Sequence, residues 1–561
     1  MNDDFKSFYT AIILSAIVIF GVNYFMPKNA PLPATTSQEI QAPVVEEENT
    51  SQAPTDNEEQ KVQETLTPSE VLAQDMRLKL ANDVISGSIR LKGARFDDIK
   101  LNKYKQTLDE NSPNVELLLP SKTNGAYFAE YGWLSSDKNL QLPSAKTPWH
   151  VEESDTLTPN TPVTLVWHNG QGVTFKNHIE VDEHYLFTIT QSVENNSGHE
   201  ITLYPYGLLS KKLNGDEAGR GIVHEGFTGI IDNSLKELKY TKIEPEAQIY
   251  ETTGGWVSFS DKYWFASFIF NDSAQNKISV REIQKGTYQL DYKGLPLQIQ
   301  SGSTATITTQ MYTGAKEIRL LDNYAKSIKK FDLNVDFGWY YFLTKPFFYI
   351  LTYLYSLIGN MGWAILLFAT LLRLFLFPIA NKSFDSMSKM KKIQPKIMVL
   401  QELYKDDKMA LQRATMELYK KEKVNPAAGC LPMFIQIPIF FSLYKVLNIA
   451  IEMRHAPFIG WIKDLSAPDP LTLSVWTHIP YIPSMLDIGV WPLIYGLTMI
   501  LQNKLNPKPA NKDQARMMLM MPIIFTIMFA HFAVGLVIYW ILSNIFSLVQ
   551  QKVIMYKNGV K

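Results

Sequence analysis

The run MGWAILLFATLLRLFLFP, residues 361–378, constrains this chain more than any other stretch. It is apolar over the length of a bilayer crossing, yet it carries one charge, Arg373. A charged side chain at mid-membrane costs about 2.5–3.5 kcal/mol on insertion scales. Arg373 lies eight residues from the polar turn at Asn381-Lys382. That is about 12 Å at a helical rise of about 1.5 Å per residue. An Arg side chain does not easily cover that distance by snorkelling to the headgroups, so Arg373 is a candidate functional residue.

The rest of the chain divides by composition. Its 561 residues exceed a single ordinary domain. The net charge of −1 averages a polar N-terminal half and an apolar C-terminal third. The single cysteine, Cys430, excludes an intrachain disulfide. None of the nine histidines forms an HxxxH or HExxH spacing, so neither a metal nor a cofactor is expected.

Residues 8–26 are apolar enough to cross a membrane and read as an uncleaved anchor: the flank before them is not basic and no small-x-small cleavage site follows. Residues 27–70 hold six prolines and nine Asp/Glu against two Lys, the composition of a disordered linker. Residues 71–335 alternate β-branched and aromatic runs such as VTLVWH (163–168) and ATITTQMYTG (305–314) with turn clusters. This predicts one large antiparallel β-sandwich domain. His178, Glu180, Asp182 and His184 alternate along one stretch and could do acid–base work, but a solvated strand face explains them more simply.

Residues 339–380 are too long for one span and break at Gly359-Asn360-Met361-Gly362. An aromatic-rich interfacial helix is expected at 344–358 and a second transmembrane helix at 362–380. Residues 381–428 carry eleven Lys/Arg and six Asp/Glu with helix-period apolar residues around Asp406-Asp407, predicting a helical hairpin. Further spans are expected at 430–451, 485–502, 517–532 and 536–554, with a polar, Pro-rich loop at 452–484. The basic loops at 381–428 and 503–516 and the basic tail share one side, the cytoplasm. Six spans then place both termini inside and the β domain outside.

Counting inward from the cytoplasmic ends, Arg373, Gln436, Thr526, Ser543 and Asn544 fall at similar depth, about 9–15 Å. No Asp or Glu lies inside those four spans to neutralise Arg373, which argues against ion coupling and for a wet pocket open to the cytoplasm. A pocket of this kind could host a polar peptide segment. The methionines nearby, among them Met433, Met521 and Met528, offer adaptable apolar surface.

The stretches LLRLFLFP (371–378), KMKKIQPKI (389–397), KEKVNPAAGCLPMFIQIPIFFSLYKVL (421–447), APFIGWIKDLSAPDP (456–470) and MPIIFTIMFAHFAVGLVIYWILSNIFSLVQQ (521–551) resemble the YidC/Oxa/Alb insertase family. The similarity covers essentially the whole chain, as in Gram-negative members with a large periplasmic domain. The resemblance implies a membrane protein insertase and chaperone of the bacterial inner membrane, not an enzyme. Its fold would be a five-helix insertase core with an N-terminal anchor, a cytoplasmic helical hairpin and an all-β supersandwich-like periplasmic domain. Its partners would be nascent membrane proteins, the Sec translocon, the lipid bilayer, and the ribosome through the basic hairpin and loops, with no direct nucleic-acid specificity. The family's groove Arg falls on Arg373 and its groove Gln on Gln436. A Thr common one turn before that Arg is Ala369 here, with Thr370 adjacent, and the sixth-span aromatic pair is Tyr539-Trp540. The implied groove comprises Arg373, Gln436, Thr370, Thr526, Tyr539, Trp540, Ser543 and Asn544. A hydrophobic slide would run over Met433, Ile437, Phe441, Met521, Phe525 and Met528. A membrane-anchored carbohydrate-active enzyme and a small-molecule transporter are the competing readings.

Overall fold

The structure, a computed structural model, describes residues 66–214, 223–405, 407–422, 424, 431–479, 482–483, 486–506 and 512–560. The expected anchor at 8–26 and most of the linker at 27–70 lie outside these residues. The linker's end forms helix α1 (Pro68–Leu72), where the Thr67 side chain and Glu70 cap each other reciprocally.

Two large sheets follow. The first has 11 strands. Its spatial order is β14 (Gln248–Thr253), β17 (Gln275–Gln284), β18 (Thr287–Gly294), β11 (Ile201–Lys212), β5 (Tyr127–Leu134), β3 (Arg95–Lys105), β2 (Ile85–Arg90), β1 (Arg77–Ala81), β7 (Thr156–Leu157). Strand β19 (Leu297–Ile299) pairs with β11, and β4 (Asn114–Leu118) with β3. The second sheet has nine strands. They are β13 (Ser234–Lys239), β12 (Gly226–Ile231), β15 (Trp256–Ser260), β16 (Trp264–Ile269), β20 (Ser303–Ala315), β10 (Leu186–Asn195), β9 (Val173–Val181), β8 (Val163–His168) and β6 (His150–Glu152). Among the described strands only β1 and β7 pair parallel.

The period-2 patterning sets the register. In β10, Phe187, Ile189, Gln191, Val193 and Asn195 are buried while their neighbours are half-buried. Phe187 stands opposite Met311 on one side and Val181 on the other, so three strands present one apolar face. That face meets the first sheet through edge-on aromatic pairs, Phe96–Phe187 at 5.6 Å and Tyr131–Phe268 at 5.4 Å.

Helix α2 (Ile318–Tyr324) leads from the sheets into a helical region. Its elements are α3 (Tyr341–Ile358), α4 (Met361–Leu403), α5 (Lys408–Lys421), α6 (Leu431–Ile449), α7 (Leu473–Thr477), α8 (Val490–Leu505), α9 (Lys512–Phe529) and α10 (Val534–Lys557). Gly359, at φ 75°, ends α3, and the Asn360 side chain caps α4 by accepting from Trp363 N at 3.1 Å. Helix α4 then runs 43 residues without a break at 380. It runs through Pro378 and Pro395, so the apolar helix continues directly into the charged stretch. The next break comes before Asp407, whose carboxylate caps α5 by accepting from Met409 N and Ala410 N. Helices α4 and α5 then pack through Ile393, Ile397, Leu418 and Tyr419.

Among the described residues, Met361–Leu403 and Val534–Lys557 are long and apolar enough to cross a membrane; Phe434–Ile449 and Ala515–Phe529 are shorter apolar helices. The β domain is fixed to the helices by ion pairs. Lys445 of α6 meets Asp336 at 2.5 Å, and Lys345 of α3 meets Asp322 at 2.7 Å and Asp332 at 2.9 Å. Arg454, after α6, donates to the Gln106 carbonyl at 3.0 Å. Phe331, Val335 and Phe337 share one buried cluster with Phe347, Phe348 and Leu351, which makes the joint apolar as well as ionic.

Candidate functional site

Helix α10 packs most extensively against α4 and α8, whereas α6 leans on α3 and touches α4 and α10 at few positions. On α10, Tyr539, Ser543 and Ser547 recur every four residues, so their side chains stack on one stripe. All three are buried.

Arg373 faces this stripe from α4. Its Nη2 donates to the Ser543 carbonyl at 2.8 Å and to the Ser547 hydroxyl. The Ser547 hydroxyl in turn donates to the same Ser543 carbonyl at 2.9 Å. The Arg373 Nε is buried and has no partner among the described residues. Arg373 forms no ion pair among the described residues either. Gln436 reaches the stripe from α6, its Nε2 donating to the Tyr539 hydroxyl at 3.0 Å. Three helices thus bring Arg373, Ser543, Ser547, Tyr539 and Gln436 together. The polar seam between α4 and α10 continues toward the charged end, where Gln550 donates to Asn381 Oδ1 at 2.7 Å and Asn558 to Asp385 Oδ1 at 2.8 Å.

A cation held by one carbonyl and one hydroxyl keeps its full charge and part of its donor capacity. Such a group draws water or an anionic guest, because an unpaired buried N–H is costly in an apolar medium.

The β domain offers no comparable constellation at the alternating His/Glu/Asp stretch. His178 bonds Thr164 Oγ1 at 3.0 Å and stands 3.7 Å from Glu180. The Asp182 carboxylate accepts from His184 N at 2.8 Å, from Leu186 N at 3.0 Å and from the Tyr324 hydroxyl, the pattern of a turn fastener.

Residues 77–350 match the family described as YidC periplasmic domain, and residues 353–560 match 60Kd inner membrane protein. The membrane protein insertase YidC of Beijerinckia indica is 43% identical over 100% of this chain and 97% of its own length. That of Mesorhizobium japonicum is 45% identical over 88% of this chain and 83% of its own. The chain belongs to the YidC membrane protein insertase family. A solved structure of an active YidC insertase, 18% identical, covers 85% of this chain and 92% of its own with a TM-score of 0.36. YidC family membership makes the chain an inner membrane protein with a periplasmic domain, here the two-sheet domain.

The remaining residues expected in a YidC groove lie elsewhere. Asn544 turns to the other flank of α10 and donates to Thr498 Oγ1 of α8 at 3.0 Å. Thr526 donates to the Pro522 carbonyl at 2.7 Å and packs on Gly496 of α8, where a Cβ would sit 2.2 Å from its Oγ1. Thr370 bonds its own helix at the Leu366 carbonyl, 2.8 Å away. Trp540 packs in an aromatic cluster, tilted against Phe440 and edge-on to Tyr495 and Phe529, at 5.8, 6.3 and 6.0 Å. Of the expected slide, Ile437, Phe441 and Met528 are exposed, and Met521 and Phe525 are half-buried. The Met433 side chain lies outside the described residues. Depth alone puts Arg373, Gln436, Thr526, Ser543 and Asn544 in one layer; facing direction turns Asn544 and Thr526 toward α8 instead of toward Arg373. Ser547 was missed from sequence, although its i+4 relation to Ser543 in an apolar helix was the signal that could have found it.

Proposed function

We propose that the chain inserts nascent membrane proteins into the inner membrane through a groove centred on Arg373, open to the cytoplasm. It is a membrane protein insertase and not an enzyme. The observation that carries the groove is the Arg373 guanidinium, held by Ser543 and Ser547 with no carboxylate partner among the described residues, next to the Gln436–Tyr539 pair. The short polar flank of an entering segment displaces water there instead of crossing the whole hydrocarbon layer, which lowers its desolvation cost. The exposed Ile437, Phe441 and Met528 give the apolar segment a path toward lipid. The driving energy is the segment's own partition into the bilayer, aided by the membrane potential on acidic flanks.

In this reading the chain crosses the membrane six times, through residues 8–26, 362–380 of α4, and α6, α8, α9 and α10. Both termini are cytoplasmic. Helix α3, with Phe342, Tyr353 and Leu357 exposed, lies along the interface. The α4–α5 hairpin and the basic loops meet the ribosome, and the Sec translocon is a partner for larger clients. The two wide sheets suit a supersandwich that serves as a platform rather than a sugar-active site.

Proteoliposomes containing the purified full-length protein, challenged with a short two-span substrate synthesised in vitro, test the proposal. Protease protection of the translocated flank is expected, reduced by Arg373→Gln most strongly for acidic flanks. Equal loss for acidic and neutral flanks would assign Arg373 a purely structural role.

A further inference from the structure

We infer that the segment between α6 and α8 seats an apolar face in the lipid interface on the β-domain side of the membrane, fixing the height of α8 and α10. This rests on the reading above that α8 crosses the bilayer.

The segment ties up its carboxylates in its own hydrogen bonds, with Asp469 buried and Asp464 and Asp487 half-buried. Asp469, 3% exposed, accepts from Trp461 Nε1 at 2.9 Å, Leu471 N at 3.0 Å and Trp491 N at 2.8 Å. Asp464 accepts from Ser466 N at 2.8 Å and its hydroxyl at 2.7 Å. Asp487 accepts from Ser474 N at 2.8 Å and from the Thr472 and Ser474 hydroxyls at 2.9 and 2.7 Å. What faces outward is mainly apolar: Ile459, Trp461, Val475, Trp476, Ile479 and Leu486 are 40–55% exposed, beside the exposed Lys463 and His478. A loop built for water shows the reverse arrangement. Tryptophan rings beside apolar side chains suit the headgroup level, and the exposed Lys463 can snorkel from there.

The segment is folded onto the helices it joins. Val534 N and Gly535 N, at the start of α10, donate to Ala467 O at 2.8 Å and Leu465 O at 3.1 Å. Val490 N, at the start of α8, donates to Leu471 O at 3.2 Å. Helix α8 has 16 residues, about 24 Å, against a hydrocarbon core of about 30 Å. An apolar cap attached to its start makes up that shortfall. The same cap sets the depth of α10 and with it the level of Tyr539, Ser543 and Ser547.

The test is spin-label accessibility on the full-length protein in vesicles of phosphatidylethanolamine and phosphatidylglycerol. Nitroxides are attached to Trp476→Cys and Ile479→Cys in a Cys430→Ser background. Reference labels replace Leu497 on α8 and Leu235 on β13, both exposed. The expected result is that 476 and 479 collide with oxygen several-fold more than with a water-soluble nickel chelate, as 497 does, while 235 prefers the chelate. Chelate preference at 476 and 479 with oxygen preference at 497 would overturn the inference and leave the crossing of α8 intact. Chelate preference at 497 would overturn that crossing itself. Shielding of 476 from both reagents, the sign of a second copy or partner seated there, also overturns the inference.

Discussion

The Arg373 guanidinium donates to the main-chain carbonyl of Ser543, 2.8 Å away on α10, and the Ser547 hydroxyl donates to that same carbonyl from one turn further on. The carbonyl therefore anchors the charge, and the Ser547 hydroxyl orients it.

Ser547→Ala should loosen this anchoring without removing the charge. A hydrogen bond to a charged group contributes about 1.5–3 kcal/mol at most, and the Ser543 carbonyl remains. Insertion of acidic-flanked substrates should fall several-fold while neutral-flanked substrates change little. Ser547→Thr, which keeps the hydroxyl, should restore activity. Proteoliposome insertion rates for the three forms check this.

Tyr539→Phe removes the acceptor of the Gln436 amide and leaves that side chain without its partner. The expected cost is about 1 kcal/mol in stability, with a matching reduction in insertion. A double-mutant cycle with Gln436→Leu should show a coupling of similar size, since the two side chains act as one unit. Additive losses would mean that the pair is not coupled in the folded protein.

Gly496→Ala should destabilise the α8–α9 contact by about 1–3 kcal/mol, because the new methyl meets Thr526 Oγ1 at 2.2 Å. Thr526→Ala in the same chain should recover most of the loss. Thermal unfolding in detergent reads both variants. Rescue identifies Thr526 as a packing residue; continued failure of insertion in the stable double variant would return Thr526 to the groove.

Asp291, buried in β18, has its carboxyl pushed up to about 6 by burial, against the opposing effects of the Gln289 hydrogen bond and of Arg281. Its pKa is higher folded than unfolded, so the folded state binds the extra proton between the ordinary 3.8 and about 6. This group's contribution is therefore most favourable below that window and is lost as pH rises through about 6. Asp291→Asn should stabilise the β domain at pH 7 by on the order of 1–2 kcal/mol. The gain should vanish near pH 4, as read from paired melts of the full-length variants across that range.

Much of the architecture was legible in the sequence because it is written in periodicity. Alternation along Leu186–Asn195 gives a two-faced strand, and the break at Gly359–Gly362 separates α3 from α4 where a left-handed glycine and an asparagine cap stand. The end of the helix that starts at Met361 was not legible. Pro378 stands just before residue 380 and Pro395 lies further on, yet the helix runs through both, so the strongest local breakers do not mark its end. The site was half legible. Apolar context singles out Arg373 and Gln436, and helix rise gives their depth. Rotation about each helix decides which groups meet, and depth does not contain it. Hence Asn544 and Thr526 share a level with Arg373 but face α8, while Ser547, one turn away, holds it.

The most direct test of the groove is a photo-reactive residue at position 436, activated while ribosomes synthesise a short membrane protein in the presence of the full-length insertase. Covalent capture of the nascent chain is expected while its first polar flank is crossing, with loss of capture when Arg373 is replaced by a neutral residue and the flank is acidic. Unimpaired insertion with no capture at 436 would contradict a groove centred on Arg373.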